Sequence, residues 1–306
     1  MIPLSIILII LLTVGCGTSQ MYKTPEHERK IMEIYNSKLA QWTVEFDTIN
    51  IKTKLGITHI TASGEKENQP VILLHAMGLT STMWLDNISE LSKHFRVYAV
   101  DLLGDIGKSR LFDTGEYLDS DGKYSQWLSE ICDSLKIEKA DFVGASFGGW
   151  ITISHAIFSH QRVNKIVLLG PMGLTSTSFK TIWRILSLVW FPTDSKKKDM
   201  LEWALGNNPR TISRFSEHMW LAMDCKGFMA TPWAFDEEEL QKIKARTLLL
   251  LGEKDDLIGS IEEVKSNAEK NIANVEIAII EDAGHMINTD RPEITDSLIT
   301  RFLKSN

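Results

Sequence analysis

The run Asp141-Phe142-Val143-Gly144-Ala145-Ser146-Phe147-Gly148-Gly149-Trp150 constrains this chain more than any other stretch. A short apolar strand enters a G-x-S-x-G turn, and an apolar helix follows directly, so the backbone must pass from sheet to helix within one tight turn. Such a turn lifts the Ser146 hydroxyl clear of the sheet at a helix N-terminus, and glycine at 144 and 148 keeps side chains out of the crowded corner. At average Gly and Ser usage the pentapeptide arises by chance in about one chain in ten of this length, so its context decides what it means. The plain alternative is a serine that only caps the helix. Partners for the hydroxyl farther along the chain argue against it.

Those partners follow in the order serine, acid, histidine. Arg246 to Gly252 is a continuous apolar run ended by glycine, which predicts a fully buried parallel strand. It delivers Glu253-Lys254-Asp255-Asp256 to the C-terminal edge of a sheet, where open α/β folds keep their chemistry. The next strand, Val275 to Ile280, leads into Glu281-Asp282-Ala283-Gly284-His285-Met286 and places His285 on a loop at the same edge. A serine hydroxyl is too weak an acid to attack an ester at neutral pH without a base in hydrogen-bond reach. His285 is the candidate base, and a carboxylate must fix its tautomer and stabilise the imidazolium. Asp255 is preferred for that role, with Asp256 next and Glu253 third.

The alternation of elements predicts an α/β fold with a mostly parallel sheet covered on both faces and an antiparallel hairpin at its start. Strands are expected near 43–49, 56–62, 70–75 and 95–101, a helix near 123–136, and a further strand at Val163 to Leu169. Thr24-Pro25 offers a cap and a proline at the first helical position. Ile31, Ile34, Tyr35 and Leu39 then recur at helical spacing in a lead helix that reaches Trp42. At 306 residues, 43% hydrophobic and 24% charged, the chain can bury one substantial core.

From about Leu55 onward the chain resembles an α/β-hydrolase of the carboxylesterase type. The matching pieces are Val71 to Gly78, Val97 to Asp101, the Ser146 turn, Gly252 to Asp255 and Ala283 to His285. Ser81 to Trp84, Asn87-Ile88 and the Gly104-Asp105 turn are similar to bacterial carboxylesterases that hydrolyse simple and aryl-propionic esters. The resemblance implies Ser146, Asp255 and His285 as a catalytic triad, and an oxyanion hole made by the backbone N–H groups of Met77 and Phe147. Two positions depart from the family pattern. Ala76 replaces a glycine after His75, which predicts a shifted oxyanion loop because alanine resists angles that glycine accepts. The D-x-x-G-x-G-x-S spacing after Asp101 is also one residue longer, so Gly107 and Ser109 arrive late.

Between Gly170 and about Leu240 the alternation stops, and a helical cap over residues 171–240, interrupted at Pro192, Pro209 and Pro232, is expected inside a core of 43–170 and 241–306. The cap holds five of the nine Trp, five of the twelve Phe and five of the eleven Met, although it is under a quarter of the chain. A helical subdomain needs its own core, but this enrichment also suits a lid over an apolar acyl or alcohol site.

Residues 1–16 are read as a signal peptide and 17–42 as a linker with the lead helix. Ile2 to Val14 is too short to span a bilayer comfortably and suits a signal-peptide core. It ends in Leu12-Thr13-Val14-Gly15-Cys16, similar to the lipobox of bacterial lipoproteins, with Cys16 as the lipidation candidate and an extracytoplasmic, membrane-anchored protein as the consequence. Translation from Met21 would instead leave the chain cytoplasmic. Cys132 and Cys225 form no disulfide framework and are read as small buried hydrophobes. The formal charge of −7 and the lack of a basic, aromatic-interleaved stripe exclude a nucleic-acid partner. The expected reaction is hydrolysis of a small apolar ester through an acyl-enzyme, with no metal or organic cofactor. The same triad acting on a lactone, an amide or a carbon–carbon bond is the nearer rival, and a tethered, non-catalytic binding or signalling module the more distant one.

Overall fold

The structure is a computed structural model that describes residues 21–305 apart from 177, 178, 192 and 228. The apolar leader with Cys16 and the interruption expected at Pro192 lie outside the described residues. One sheet is built from β1 (Phe46–Lys52), β2 (Gly56–Ser63), β3 (Pro70–Leu74), β4 (Arg96–Val100), β5 (Arg110–Leu111), β6 (Ala140–Ala145), β7 (Val163–Leu169), β8 (Arg246–Gly252) and β9 (Val275–Ile280). Its order is β1-β2-β4-β3-β6-β7-β8-β9, with β5 paired to β2. β1 and β2 form an antiparallel hairpin, β2 runs antiparallel to β4, and every pair from β4 to β9 is parallel. The α/β expectation and its opening hairpin therefore hold.

Alternation with a period of two explains how the sheet is covered on both faces. Ile72, Leu74, Phe142, Leu249 and Leu251 point into one apolar layer. That layer is closed by α3 (Asp121–Leu135), α4 (Phe147–Phe158) and α9 (Ile261–Asn271). Val71, Leu73, Val143, Leu248 and Leu250 point into the other. There they meet the helix α2 (Ile88–Leu91), the 3-10 turn Ser81–Asp86 and α11 (Pro292–Lys304). A strand buried on both sides has no polar face to present, which is why β8 reads as an unbroken apolar run.

The first strand starts three residues later than the apolar pattern suggests. The hairpin is closed at 53–55, where both the backbone N–H and the hydroxyl of Thr53 donate to the Gly56 carbonyl at 2.8 and 3.0 Å. Counting back from that turn pairs Phe46 with Ser63, the last residue of β2, so residues 43–45 have no partner strand to join. The lead helix α1 (Pro25–Leu39) begins as expected, with the Thr24 hydroxyl accepting from the His27 N–H at 3.1 Å. It buries Ile31 and Tyr35, and the Tyr35 hydroxyl shares a hydrogen bond with Ser81 at 2.9 Å.

Between β7 and β8 lie α5 (Phe179–Trp190), α6 (Asp194–Leu205), α7 (Pro209–Ala222) and the short α8 (Glu237–Leu240). After β9, the loop that carries His285 runs into the short α10 (Ile287–Asp290). A buried amide network fixes that loop against the core. The Asn87 side chain donates to the Asn288 carbonyl at 3.0 Å and to Asp296 Oδ1 at 2.8 Å, and the Asn288 side chain donates back to Asn87 Oδ1 at 3.0 Å. Removing one member would leave buried polar groups unpaired, each costing roughly 1–3 kcal/mol. Asn87→Ala is therefore expected to lower unfolding stability by about 2–3 kcal/mol in urea titrations. A loss below about 0.5 kcal/mol would show that the network is not what holds the His285 loop.

Candidate active site

Parallel strands deliver the loops after β3, β6, β7, β8 and β9 to one edge, and the candidate side chains all sit there. Ser146 lies between β6 and α4 with φ 50° and ψ −111°, a left-handed conformation that a serine adopts only under constraint. The constraint is visible. The Ser146 N–H donates to the Leu169 carbonyl at 2.9 Å, and the Ser146 carbonyl accepts from the Met172 N–H at 3.1 Å. Gly148 completes the turn, because a Cβ there would collide with the Leu74 carbonyl of the neighbouring strand. The Ser146 hydroxyl has no hydrogen-bond partner among the described residues, which leaves its oxygen free to meet an incoming group.

Of the three carboxylates at the end of β8, the structure pairs one with His285. Asp255 Oδ2 lies 2.8 Å from His285 Nδ1, while Oδ1 accepts the Leu257 N–H at 2.9 Å. Asp256 and Glu253 are exposed, and Glu253 is spent on the Asp282 N–H at 3.0 Å. Burial opposes charge on both partners, but it is outweighed. The imidazole's charge and hydrogen bond hold Asp255 below the usual carboxylate range, and the Asp255 carboxylate raises His285 above its ordinary value near 6.5. An ionised carboxylate can only accept, so the neutral ring carries its proton on Nδ1 and keeps Nε2 as the free base.

Gly170 brings the pair and the serine together, a role that its place in the sequence does not announce. It follows Leu169, the residue that holds the Ser146 N–H, and has φ 46°. A Cβ at 170 would stand 3.0 Å from Asp255 Oδ2 and 3.3 Å from His285 Nδ1, so a bare backbone is what lets the ion pair close over this strand end. The signal was present only as a glycine ending an apolar strand, which many strands share.

The remaining loop, after β3, contains His75, Ala76 and Met77. Its strain does not fall on Ala76, which keeps an ordinary negative φ. The left-handed residue of the turn is Gly78, at φ 72°. His75 is buried with a defined tautomer: Nε2 accepts the Leu102 N–H at 2.9 Å, so Nδ1 donates to the Ala76 carbonyl, also at 2.9 Å. Asp105, within the long spacing after Asp101, reaches back into this turn. Its Oδ2 accepts the Gly78 N–H at 2.9 Å and its Oδ1 accepts the Ile106 N–H at 2.7 Å. Burial pushes this carboxyl up to about 7 despite those two hydrogen bonds. The sequence showed the odd spacing but not what fills it. The Met77 N–H beside this clamp has no acceptor among the described residues. Phe147, as the first residue of α4, likewise has an N–H with no acceptor inside the helix.

The helices between β7 and β8 touch the loops after β3 and β8 and the short α10 that follows His285. The Trp203 indole of α6 donates to the Asp256 carbonyl at 3.3 Å. Thr211 at the start of α7 donates to Asp290, whose other oxygen accepts the Gly284 N–H at 2.8 Å. Ala222 at the end of α7 lies against Gly78. Cys132 is buried in α3 and Cys225 is half-buried after α7, both as free thiols.

Residues 71–296 match the model of the alpha/beta hydrolase family. A Bacillus subtilis (strain 168) protein described as the uncharacterized carboxylesterase nap is 28% identical over 285 residues, covering 89% of this chain and 92% of that protein. Among solved structures, naproxen esterase (carboxylesterase NP) from Bacillus subtilis superposes with a TM-score of 0.82 at 27% identity, covering 92% of this chain and 100% of its own. Carboxylesterase CesB (YbfK) from the same organism gives a TM-score of 0.83 at 24% identity, covering 92% and 99%.

Asp255→Asn removes the charge that raises His285 and leaves burial, which lowers it. The His285 ring, followed by nitrogen-detected NMR, is therefore expected to titrate above 6.5 in the native protein and at lower pH in the variant. An unchanged or higher titration midpoint would show that Asp255 does not set the state of this imidazole.

Proposed function

The chain belongs to the alpha/beta hydrolase family, and from that premise we propose that it hydrolyses carboxylic esters of small to medium apolar substrates through an acyl-enzyme on Ser146. One observation carries the proposal: the buried Asp255–His285 hydrogen bond stands at the same sheet edge as the strained Ser146 turn, with Nε2 left as a base. Each group then has one task. Ser146 Oγ attacks the carbonyl carbon as its proton passes to His285 Nε2, and Asp255 stabilises the imidazolium. In the free protein the hydroxyl is unengaged, and such contacts often tighten only when substrate binds.

The oxyanion forms against the N–H groups of Met77 and Phe147, donors worth roughly 3 kcal/mol each when aimed at developing charge. The Asp105 clamp on Gly78 and the His75 hydrogen bonds hold that turn in place. His285 protonates the leaving alcohol oxygen. Water enters, gives its proton to His285 and its oxygen to the acyl carbon, and Ser146 regains its proton as the acid departs.

Residues 171–240 act as a lid. Two observations support this reading: the share of Trp, Phe and Met in the segment, and its contacts with Asp256, Asp290 and Gly78. The leader supports a further proposal, that cleavage before Cys16 leaves this residue lipidated and the enzyme anchored on the extracytoplasmic side of a membrane. No helix among the described residues is long and apolar enough to cross a membrane.

Ser146→Ala is expected to cut p-nitrophenyl butyrate hydrolysis by at least about 10⁴-fold while thermal unfolding stays cooperative. Retained turnover would remove the nucleophile from this account. An ester series of increasing acyl length reads the lid, and preference for charged or sugar esters would contradict an apolar site.

A further inference from the structure

We propose that the outer face of α5 is a lipid-docking surface that lays the lid helices against the membrane. Trp183, Trp190 and Phe191 are 58%, 59% and 66% exposed. Scattered apolar residues on a surface need no explanation, but these are not scattered. Trp183 and Trp190 are seven residues apart and share one stripe of the helix, with the half-buried Leu186 between them, and Phe191 extends the stripe at its end.

The charge around this stripe runs against that of the chain. Residues 179–199 carry five Lys or Arg against two Asp, in a protein of formal charge −7. Lys196 Nζ lies 5.0 Å from the centre of the Phe191 ring. The Lys198 side chain is 74% exposed, with the exposed Glu202 3.7 Å away, and Lys197 is turned inward onto Asp224. Bulky aromatics flanked by lysines are what an anionic lipid interface selects: rings at headgroup depth and ammonium groups on phosphates. A second copy of the chain would set two cationic segments face to face, which like-charge repulsion opposes.

The position of the N-terminus points to the same occupant. Lys197, next to the lysine that covers Phe191, bonds Asp224 at 2.6 Å, and Asp224 also takes Lys23 at 2.7 Å. The Met21 carbonyl accepts the Lys226 N–H at 2.8 Å. The first described residue therefore sits in the cluster that adjoins the aromatic end of α5. Cys16 precedes Met21 by five residues, which can span at most about 18 Å of extended chain. This placement rests on the Cys16 anchor proposed above: a bilayer holding Cys16 lies within that reach of Met21, on the side of the molecule where Lys23 and Lys197 share Asp224.

The test uses the full chain with mixed phosphatidylcholine–phosphatidylglycerol vesicles brominated in their acyl chains. The expected result is quenching of a fraction of the tryptophan emission that Trp183→Phe with Trp190→Phe removes. Trp183→Ser, Trp190→Ser and Phe191→Ser together should weaken vesicle partitioning of the Cys16→Ala protein by roughly tenfold, with its far-ultraviolet circular dichroism and cooperative thermal unfolding unchanged. Equal quenching in native and Trp→Phe proteins, including none in either, overturns the proposal. So do dimers that the triple variant abolishes without any lipid quenching, which would assign the face to a second copy. The anchor is scored separately, by whether Cys16→Ala leaves the membrane fraction of cells.

Discussion

The Asp255–His285 pair is the interaction on which the site depends. Burying a carboxylate beside an imidazole is costly unless each lone pair and proton is accounted for. Here the carboxylate spends one oxygen on the backbone N–H groups of Leu257 and Ile258 and the other on the ring, so it is held in place whether or not the ring is charged. The same arrangement leaves only Nε2 free and keeps it basic.

Most of the fold serves to bring that pair to Ser146. Parallel strands with their C-terminal ends at one edge supply the loops, and both apolar layers are closed by helices so that the edge stays rigid. The strand end at 170 then gives up its side chain so that the pair can approach, while the Asn87–Asn288 network holds the loop after His285. None of these supports touches a reacting atom. They act by denying the three groups any other arrangement.

What could be read from the sequence follows the range of the interactions. The Ser146 turn, β8 and β9 were legible because local apolar patterning and glycine placement encode them. Asp255 could be ranked above Asp256 and Glu253 but not separated from them, since the choice depends on how the loop after Gly252 turns. Asp105 shows the limit most clearly. It lies in a stretch of unusual spacing, yet nothing nearby in the sequence says that its carboxyl group reaches Gly78, 27 residues earlier. The hairpin starts at Phe46 and not near 43 because the turn at Thr53, and not the apolar pattern, sets its register. Contacts of α6 and α7 with the Asp256 and Asp290 loops join positions too far apart for any periodicity to report.

The central claim is that His285, poised by Asp255, activates the Ser146 oxygen. Its most direct measurement is the pH dependence of covalent labelling by a fluorophosphonate, with the modified peptide identified by mass spectrometry. The account predicts one adduct, on Ser146, formed at a rate that climbs as the pH rises through a midpoint above 6.5 and collapses in His285→Ala. An adduct on another residue, or labelling of Ser146 at a rate indifferent to pH and to His285, would contradict it.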